Sequence, residues 1–305
     1  MSRVVCVTPN PAIDVTYRVP ELTPGASHRA ADVLERPGGK GVNVARVLHA
    51  LGVPAVVVAP LGGPGGRWLA DALADAGLPV RTVPVAAATR RTVTVVDDSG
   101  AATALNEPGR PLSQAEWSAV VAAVTEELAG AAALVVSGSL PAGAPDDLLP
   151  RLLAAARAAG VPAVADTSGP ALLAAAGAGP ALLKPNAEEL AAAVPGATLD
   201  AARRLLTLGA DRVVVSQGAA GLLGLAGDEV WRVAAVPGLS GNPTGAGDAT
   251  VAALVRGLMT GAPWPDVLAD AAALGAAAVL TAAAGEVDLA GYARFLPTLH
   301  AERVG

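Results

Sequence analysis

Short apolar runs that end in polar clusters recur along this chain, and this rhythm constrains the fold more than any other feature. The first run, Val4 to Thr8, is rich in β-branched residues and stops at Pro9-Asn10-Pro11, as a buried strand does. Segments with helical spacing of apolar residues alternate with the later runs, which predicts βαβ units. We therefore expect an α/β fold with a doubly wound, mostly parallel sheet flanked by helices.

The polar clusters are the first indication of a functional site. Ligands of open parallel sheets bind beyond the carboxyl ends of the strands, where such clusters meet. Each cluster taken alone has a structural explanation, because strand-end turns are usually polar, so the argument rests on their joint pattern. Six clusters follow predicted strands: Asn10 to Asp14, Ser137 to Gly143, Asp166 to Gly169, Lys184 to Glu189, Ser216 to Gly218 and Asn242 to Asp248.

The last cluster opens a segment, Asn242 to Val255, that reads NPTGAGDATVAALV. Gly245 and Gly247 allow a tight turn, and the apolar residues after them indicate a buried helix whose first N–H groups favour an anion. Asp248 falls in the first turn, where we expect its carboxylate to stay ionised and to act as a base. A base beside an anion site suits phosphoryl transfer to a hydroxyl, and the alternative is an acid in an ordinary helix start.

A second glycine-rich turn, Pro37 to Asn43, leads into a predicted helix that stops at Gly52. Its glycines allow a ligand to approach the backbone closely, and Lys40 and Asn43 supply polar contacts. A simple helix-entry turn is the alternative. The segment is not a P-loop, because Lys40 is followed by glycine rather than by Ser or Thr.

Segments with alternating polar and apolar residues predict a small sheet that covers the site as a lid, built from about 12–36 and 89–107. Ser27 to Arg36 is predicted as one of its strands, and the stretch from Thr89 to Pro108 as a hairpin that turns at Asp97-Asp-Ser-Gly100. Arg90 lies where the hairpin begins, which makes it either a solvated edge charge or an anion clamp.

Composition excludes several classes of protein. The chain has 52% hydrophobic and 16% charged residues, which excludes a disordered protein. Its net charge of −6 and 2% aromatic content argue against nucleic-acid binding. The Ala-rich runs are interrupted before about 18 residues, so we expect no membrane span and a cytoplasmic location. The single Cys6 lies in an apolar run and is read as a core residue.

No linker or low-complexity segment divides the chain, so we expect one domain over 1–305. Near its end, Leu222 to Ala226 is predicted to pair with Val230 to Ala235, and Val267 to Ala284 is predicted to form a pair of Ala-rich helices.

Over nearly its whole length the chain resembles the ribokinase-like, or PfkB, family of sugar kinases, and most closely the phosphosugar branch of 1-phosphofructokinases and tagatose-6-phosphate kinases. The resemblance rests on motifs that occur in this order: NPAID (10–14), GGKGVNVA (38–45), TR (89–90), NEPG (106–109), SGSLP (137–141), DTSG (166–169), KPNAEEL (184–190) and GAGD (245–248). It implies a ribokinase-like fold and transfer of a phosphoryl group from ATP to a ketohexose monophosphate.

The resemblance also implies a role for individual residues. Asp248 is the base, and the N–H groups of Gly245, Ala246 and Gly247 hold the transferred group. Mg²⁺ is held by Asn186 and Glu189. The residues implied to bind ATP are Lys184, Asn186, Ser216, Gly218 and Gly221, and those implied to bind the phosphosugar are Asp14, Gly38, Gly39, Lys40, Asn43, Arg90, Ser139 and Arg29.

Three other interpretations stay open. The acceptor could be an unphosphorylated sugar or a nucleoside, or the chain could be a sensor that binds sugar or nucleotide without turnover. The presence of Asp248, Asn186 and Glu189 argues against the sensor. A dinucleotide-binding oxidoreductase fits worse, since no G-x-G-x-x-G follows the first strand. The exposed edge strands of the lid predict a homodimer formed through it.

Overall fold

A computed structural model describes residues 3–304 of the chain. Its central sheet has ten strands. From one edge to the other they are β14 (Ala301–Arg303), β13 (Glu229–Val233), β12 (Leu222–Ala226), β11 (Arg212–Ser216), β10 (Leu182–Leu183), β9 (Ala163–Asp166), β8 (Ala133–Ser137), β1 (Val4–Val7), β4 (Ala55–Leu61) and β5 (Val80–Pro84).

The strands from β11 to β5 run parallel to their neighbours, and β12, β13 and β14 are antiparallel additions at one edge. β1 lies in the middle, with Cys6 opposite Val57 of β4 and Val135 of β8. Every residue of β1 is buried, because helices cover both faces of the sheet. Cys6 is a buried free cysteine, as predicted for a core residue.

Ten α-helices lie between or after the strands of the described residues. They are α1 (Lys40–Ala50), α2 (Gly63–Asp75), α3 (Gln114–Glu127), α4 (Leu148–Ala158), α5 (Pro170–Gly177), α6 (Ala187–Ala193), α7 (Thr198–Leu208), α8 (Ala246–Thr260), α9 (Trp264–Val279) and α10 (Leu289–Phe295).

Alternation along β1 shows how the two faces are covered. Val4 and Cys6 belong to a core formed with α1, α2, α8, α9 and α10, whereas Val5 and Val7 belong to a core formed with α3 to α7. Successive side chains of a strand point to opposite faces, so the two cores lie on opposite sides of the sheet. The predicted doubly wound, mostly parallel sheet is therefore confirmed.

A separate four-stranded sheet, which we call the lid sheet, has the order β3 (Asp32–Gly38), β2 (Ala12–Val19), β6 (Arg90–Asp97) and β7 (Ala102–Asn106). The predicted hairpin is confirmed, since β6 and β7 are antiparallel neighbours. The predicted strand from Ser27 to Arg36 is wrong in its first half, because pairing with β2 begins at Asp32. The preceding residues contain Pro24-Gly25 and form turns and irregular backbone.

One helix prediction is wrong. Val267 to Ala284 was predicted as a helix pair, but the structure has the single helix α9, which ends at Val279 and is followed by turns. Gly275 does not break it: a Cβ there would come within 2.7 Å of Thr250 Oγ1, so the glycine lets α9 pack closely on α8. No helix of residues 3–304 is both long and apolar enough to cross a membrane.

Candidate active site

The carboxyl ends of the central strands bring polar residues to one edge of the sheet. Ser137 ends β8, Asp166 ends β9, and Lys184 follows β10 directly. Ser137 Oγ donates to Asp166 Oδ2 over 3.1 Å, which joins two neighbouring strand ends. Asn186 and Ser216 lie side by side one strand further along. The predicted meeting of strand-end clusters is therefore observed.

The start of α8 reaches the same edge. Gly245 precedes the helix with a φ of 88°, in the left-handed region, and a Cβ there would come within 2.8 Å of Ala284. The N–H groups of Gly245 and Gly247 have no acceptor among residues 3–304, but that of Ala246 donates to the Pro243 carbonyl over 3.2 Å. Two of the three N–H groups predicted to hold a phosphoryl group are thus free of protein partners in the described part of the chain.

Asp248 is buried in the first turn of α8. Its carboxyl was predicted to stay ionised, but burial, assisted by the charge of Asp166, raises its pKa to about 7. The Asn43 hydrogen bond and the charges of Lys40 and Lys184 act in the opposite direction. The effect of desolvation on the pKa of Asp248 therefore outweighs the effect of the helix N-terminus, which favours the charged form. A pKa near 7 suits a group that takes up and releases a proton at neutral pH.

Two lysines and two carboxylates surround this position. Lys40 Nζ lies 3.2 Å from Glu189 Oε1 and 3.6 Å from Asp166 Oδ1, and Lys184 Nζ lies 3.5 Å from Asp166 Oδ1. Burial alone lowers the pKa of Lys40, but the carboxylates of Asp166, Glu189 and Asp248 outweigh it and raise that pKa. Asp166 was not among the predicted site residues, although its position at the end of a buried strand was the signal for it.

Asn186 and Glu189 form a capping box at the start of α6. Asn186 Oδ1 accepts the Glu189 N–H over 2.7 Å, and Glu189 Oε2 accepts the Asn186 N–H over 2.9 Å. Gly218, with a φ of 56°, opens the short turn after β11. Close packing requires glycine at position 221, because a Cβ on Gly221 would come within 2.0 Å of the Val233 carbonyl oxygen.

The oxygen groups near Lys40 are of the kind that a magnesium ion prefers. Within residues 3–304 no group of three or more His, Cys, Asp or Glu is placed to hold a metal ion by itself. Glu189 and Asn186 nevertheless supply hard oxygen donors, and the buried Asp166 Oδ1 has no hydrogen-bond partner. Mg²⁺ prefers such oxygens and keeps several of its waters, so a partial set of protein ligands is enough.

On the lid side, Asp14 of β2 lies against the glycine turn. A Cβ on Gly38 would come within 2.1 Å of the Asp14 carboxylate, so only glycine permits this contact. Burial raises the pKa of Asp14, while the Thr92 hydroxyl that donates to it, Arg90 and Arg46 act to lower it. Gly39 has a φ of 106°, which directs the chain into α1.

An open cleft of about 390 Å³ lies between the lid sheet and the end of β8. Arg90 forms part of its wall, and its guanidinium donates to the Glu107 carbonyl over 2.9 Å and to the Asn10 carbonyl over 3.2 Å. Asn10 Nδ2 in turn donates to Ser139 Oγ over 3.3 Å. The full lining is Asn10, Arg90, Thr92, Asn106, Glu107, Pro108, Ser139 and Leu140.

The structure does not bring Arg29 into this group. It is exposed between β2 and β3 and makes no hydrogen bond or ion pair within residues 3–304. Asn10 and Thr92, in contrast, line the cleft but were not predicted as site residues. Their signal was present in the sequence, since Asn10 opens the NPAID motif and Thr92 stands two residues after the predicted clamp.

Comparison with known proteins gives consistent results. The family described as pfkB family carbohydrate kinase matches residues 1–289. ATP-dependent 6-phosphofructokinase isozyme 2 of Escherichia coli K12 is 36% identical over 289 residues, which cover 92% of this chain and 93% of that protein. The 1-phosphofructokinase of Xanthomonas campestris pv. campestris is 38% identical over 268 residues, which cover 84% of each.

A solved structure, the tetrameric inhibited form of phosphofructokinase-2 from Escherichia coli, superposes with a TM-score of 0.90 and 34% identity. The match covers 98% of this chain and 99% of that chain. The similarity therefore extends over both the central sheet and the lid sheet.

Proposed function

Since the chain belongs to the pfkB family of carbohydrate kinases, we propose that it transfers the terminal phosphoryl group of ATP to a hydroxyl of a ketohexose monophosphate. The product is a sugar bisphosphate. Relatives named as a 6-phosphofructokinase and as a 1-phosphofructokinase support a phosphorylated ketohexose as the acceptor.

The observation that carries the proposal is the buried carboxyl of Asp248 at the start of α8, with Lys40 and Lys184 nearby. As the base, Asp248 takes the proton of the acceptor hydroxyl. The freed oxygen forms a bond to the terminal phosphorus of ATP, and the bond from that phosphorus to the bridging oxygen breaks, releasing ADP. The lysines and the N–H groups of Gly245 and Gly247 offset the negative charge on the transferred group, and the N–H of Ala246 joins them only by leaving the Pro243 carbonyl.

The nucleotide lies along the strand ends beyond β10 and β11 in this proposal. The residues assigned to ATP are Lys184, Asn186, Ser216, Gly218 and Gly221. Asn186 and Glu189 hold Mg²⁺, partly through its waters. When bound, the ion offsets the charge of the ATP phosphates.

The phosphosugar lies under the lid sheet. Asp14, Asn43, Gly38 and Gly39 contact its hydroxyl groups. Its phosphate is assigned to Arg90 and Ser139, which line the cleft, and to Lys40, which lies outside that lining, with Arg29 reaching it only if the loop before β3 moves.

A coupled ADP-release assay tests the proposal with fructose 1-phosphate, fructose 6-phosphate and tagatose 6-phosphate, and with fructose, ribose and adenosine as unphosphorylated acceptors. We expect ADP release that depends on a phosphosugar and falls roughly 10²- to 10⁴-fold in Asp248→Asn. Release that no acceptor increases would favour the non-catalytic sensor. A preference for an unphosphorylated acceptor would favour the second kinase hypothesis.

Arg90→Ala tests the phosphate clamp, with Arg91→Ala as the matched control. Arg91 is the next residue on β6, but its guanidinium pairs with Glu35 on the lid sheet. We expect Arg90→Ala to raise the KM for the phosphosugar and Arg91→Ala to leave it unchanged. Equal KM values in the two variants would remove Arg90 from the site.

Assembly through the lid sheet and a cytoplasmic location are part of the same proposal. Val33, Leu34 and Leu105 are large apolar side chains of the lid sheet and are 49%, 40% and 61% exposed. β3 and β7 also leave two free sheet edges. Light scattering of the wild type is expected to give a dimer and of Leu105→Glu a smaller species. A monomeric wild type would contradict assembly through this surface.

A further inference from the structure

The side chain of Asn43 contacts Asp248 directly. Asn43 lies in the first turn of α1 and is buried, and its Nδ2 donates to Asp248 Oδ2 over 2.8 Å. The two residues are 205 positions apart in the sequence. The contact therefore exists only because α1 and α8 pack against each other on the same face of the sheet.

Asn43 is held in this orientation from two sides. Its N–H donates to the Gly39 carbonyl over 3.0 Å, which fixes the backbone at the start of α1. On the other side, a Cβ on Gly285 would come within 3.0 Å of Asn43 Oδ1. The loop after α9 thus closes over the amide, and a larger residue at 285 would displace it.

The hydrogen bond makes the two carboxylate oxygens of Asp248 inequivalent. Oδ2 accepts from Asn43, whereas Oδ1 has no donor among residues 3–304. Resting on the proposed function, we propose that Asn43 is a positioning residue for the base: its amide holds Oδ2 and orients Oδ1 to take the proton of the acceptor hydroxyl. Contact with a sugar hydroxyl is a different role, and Asn43 has a second N–H that could serve it.

Other charged groups also face Asp248, and a test has to separate them from Asn43. Asp166 at the end of β9 disfavours the charged carboxylate, whereas Lys40 of α1 and Lys184 after β10 favour it. Substitution of Asn43 leaves all three in place. A change in the titration of Asp248 is then the loss of one hydrogen bond to its charged form.

The test is a carboxyl ¹³C titration of protein labelled at the aspartate side-chain carbon, with the Asp248 signal assigned by its absence in Asp248→Asn. The variants are Asn43→Ala and Asn43→Ser, whose hydroxyl is too short to reach Oδ2. Two variants are used so that the test can still be made if one of them fails to fold. Thr250→Val is the matched control, because Thr250 is buried two residues further along α8 and donates to the Ala246 carbonyl instead.

We expect the titration midpoint of Asp248 to rise by about one pH unit in the Asn43 variants and to stay unchanged in Thr250→Val. The acid limb of kcat/KM moves by the same amount, so activity at pH 6 falls about tenfold. Addition of phosphosugar is not needed for the titration. An unchanged titration midpoint of Asp248 in folded Asn43 variants overturns the inference. If the KM for the phosphosugar rises in those variants while the midpoint is unchanged, Asn43 contacts the substrate alone.

Failure of the proposed function gives a different result. In that case the wild type has no acceptor-dependent turnover, while the titration still reports whether Asn43 holds the Asp248 carboxylate. An unmoved midpoint would then reject the positioning contact as well.

Discussion

The carboxyl group of Asp248 has a pKa of about 7 in the folded protein, whereas an unfolded aspartate titrates near 3.9. Folding therefore favours the protonated form. The resulting stabilisation is fully present below the unfolded pKa and is lost as the pH rises through about 7. At neutral pH the protein carries a partly ionised buried carboxyl, as the proposed role of Asp248 as a base requires, and it does so at the expense of stability.

Asp248→Asn tests this linkage at the residue scale. The amide is neutral at every pH, so the variant does not have to ionise a buried carboxyl. We expect the free energy of unfolding of Asp248→Asn, measured relative to wild type, to be higher at pH 8 than at pH 4 by on the order of 3 kcal/mol. Urea unfolding at the two pH values measures the difference. Asp71→Asn, at an exposed position on α2, is the control and is expected to show no such pH dependence.

Equal effects of Asp248→Asn on the free energy of unfolding at pH 4 and pH 8 would show that the pKa of the Asp248 carboxyl is not shifted. The sequence placed Asp248 correctly in a first helical turn, but it could not indicate this shift. Burial of the carboxyl depends on α1, the end of β9 and the loop after α9, which come from distant parts of the chain.

At the scale of elements, an ion pair connects the lid sheet to the loop after α9. Arg36 of β3 pairs with Glu286, and Arg46 of α1 lies 3.9 Å from the same carboxylate. That loop also contacts Gly245 through Ala284, so β3 is tied to the start of α8. The sequence offered no signal for this pair, because neither partner belongs to a motif.

Glu286→Gln is expected to loosen this connection. Since Glu286 is partly exposed, we expect only a two- to fivefold rise in the KM for the phosphosugar, with kcat nearly unchanged. Glu302→Gln, on the far edge strand β14, is the control. Steady-state kinetics at low and high salt measures both variants, and a fall in kcat without a change in KM would contradict the connection.

Helices α8, α9 and α10 share a polar contact at their outer side. Arg256 Nη2 donates to both carboxylate oxygens of Asp270 over 2.6 and 2.8 Å, and the Tyr292 hydroxyl donates to Asp270 Oδ1 over 2.6 Å. Three helices thus depend on one carboxylate. The types and the spacing of these three residues match no recognisable motif, so the contact was not predictable from the sequence.

Asp270→Asn is expected to lower the free energy of unfolding by about 1–3 kcal/mol, because the amide cannot accept as strongly from both Arg256 and Tyr292. Chemical denaturation measures the loss, and Asp71→Asn again serves as the exposed control. A double-mutant cycle with Tyr292→Phe is expected to show coupling. Additive effects would mean that the two contacts act independently.

Turn residues and the alternation of polar and apolar residues predicted some elements well. The β6–β7 hairpin followed from Asp97-Asp-Ser-Gly100 between alternating residues, and β12 and β13 pair as expected. β14 and α10 were not predicted. β14 is three residues long and is defined by its pairing with β13 rather than by its own sequence.

For the whole molecule, burial predicts a gradient of stability from the central sheet to the lid sheet. All residues of β1 and β8 are buried, whereas all residues of β7 are exposed. We expect the amides of β7 to exchange with solvent at least tenfold faster than those of β1 and β8. Hydrogen exchange with mass spectrometry measures this.

Addition of a phosphosugar is expected to slow exchange in the lid sheet and to leave β1 unchanged. The control is fructose at the same concentration. Protection of the central sheet with no change in β2 or β6 would contradict binding beneath the lid. The existence of a site at the strand ends followed from the sequence, but its pairings, such as Lys40 with Glu189, required the relative positions of α1 and α6.

β1 lies in the middle of the sheet, and its two neighbours are β4 and β8. During synthesis β1 leaves the ribosome before its neighbour β8, which begins at Ala133, well over a hundred residues later. Until then one edge of this fully buried strand is open. Asp248 emerges later still, so the nascent chain has the strands of its parallel sheet before it has this buried carboxyl. Chaperones that cover open strand edges would therefore meet this chain before the start of α8 has been made.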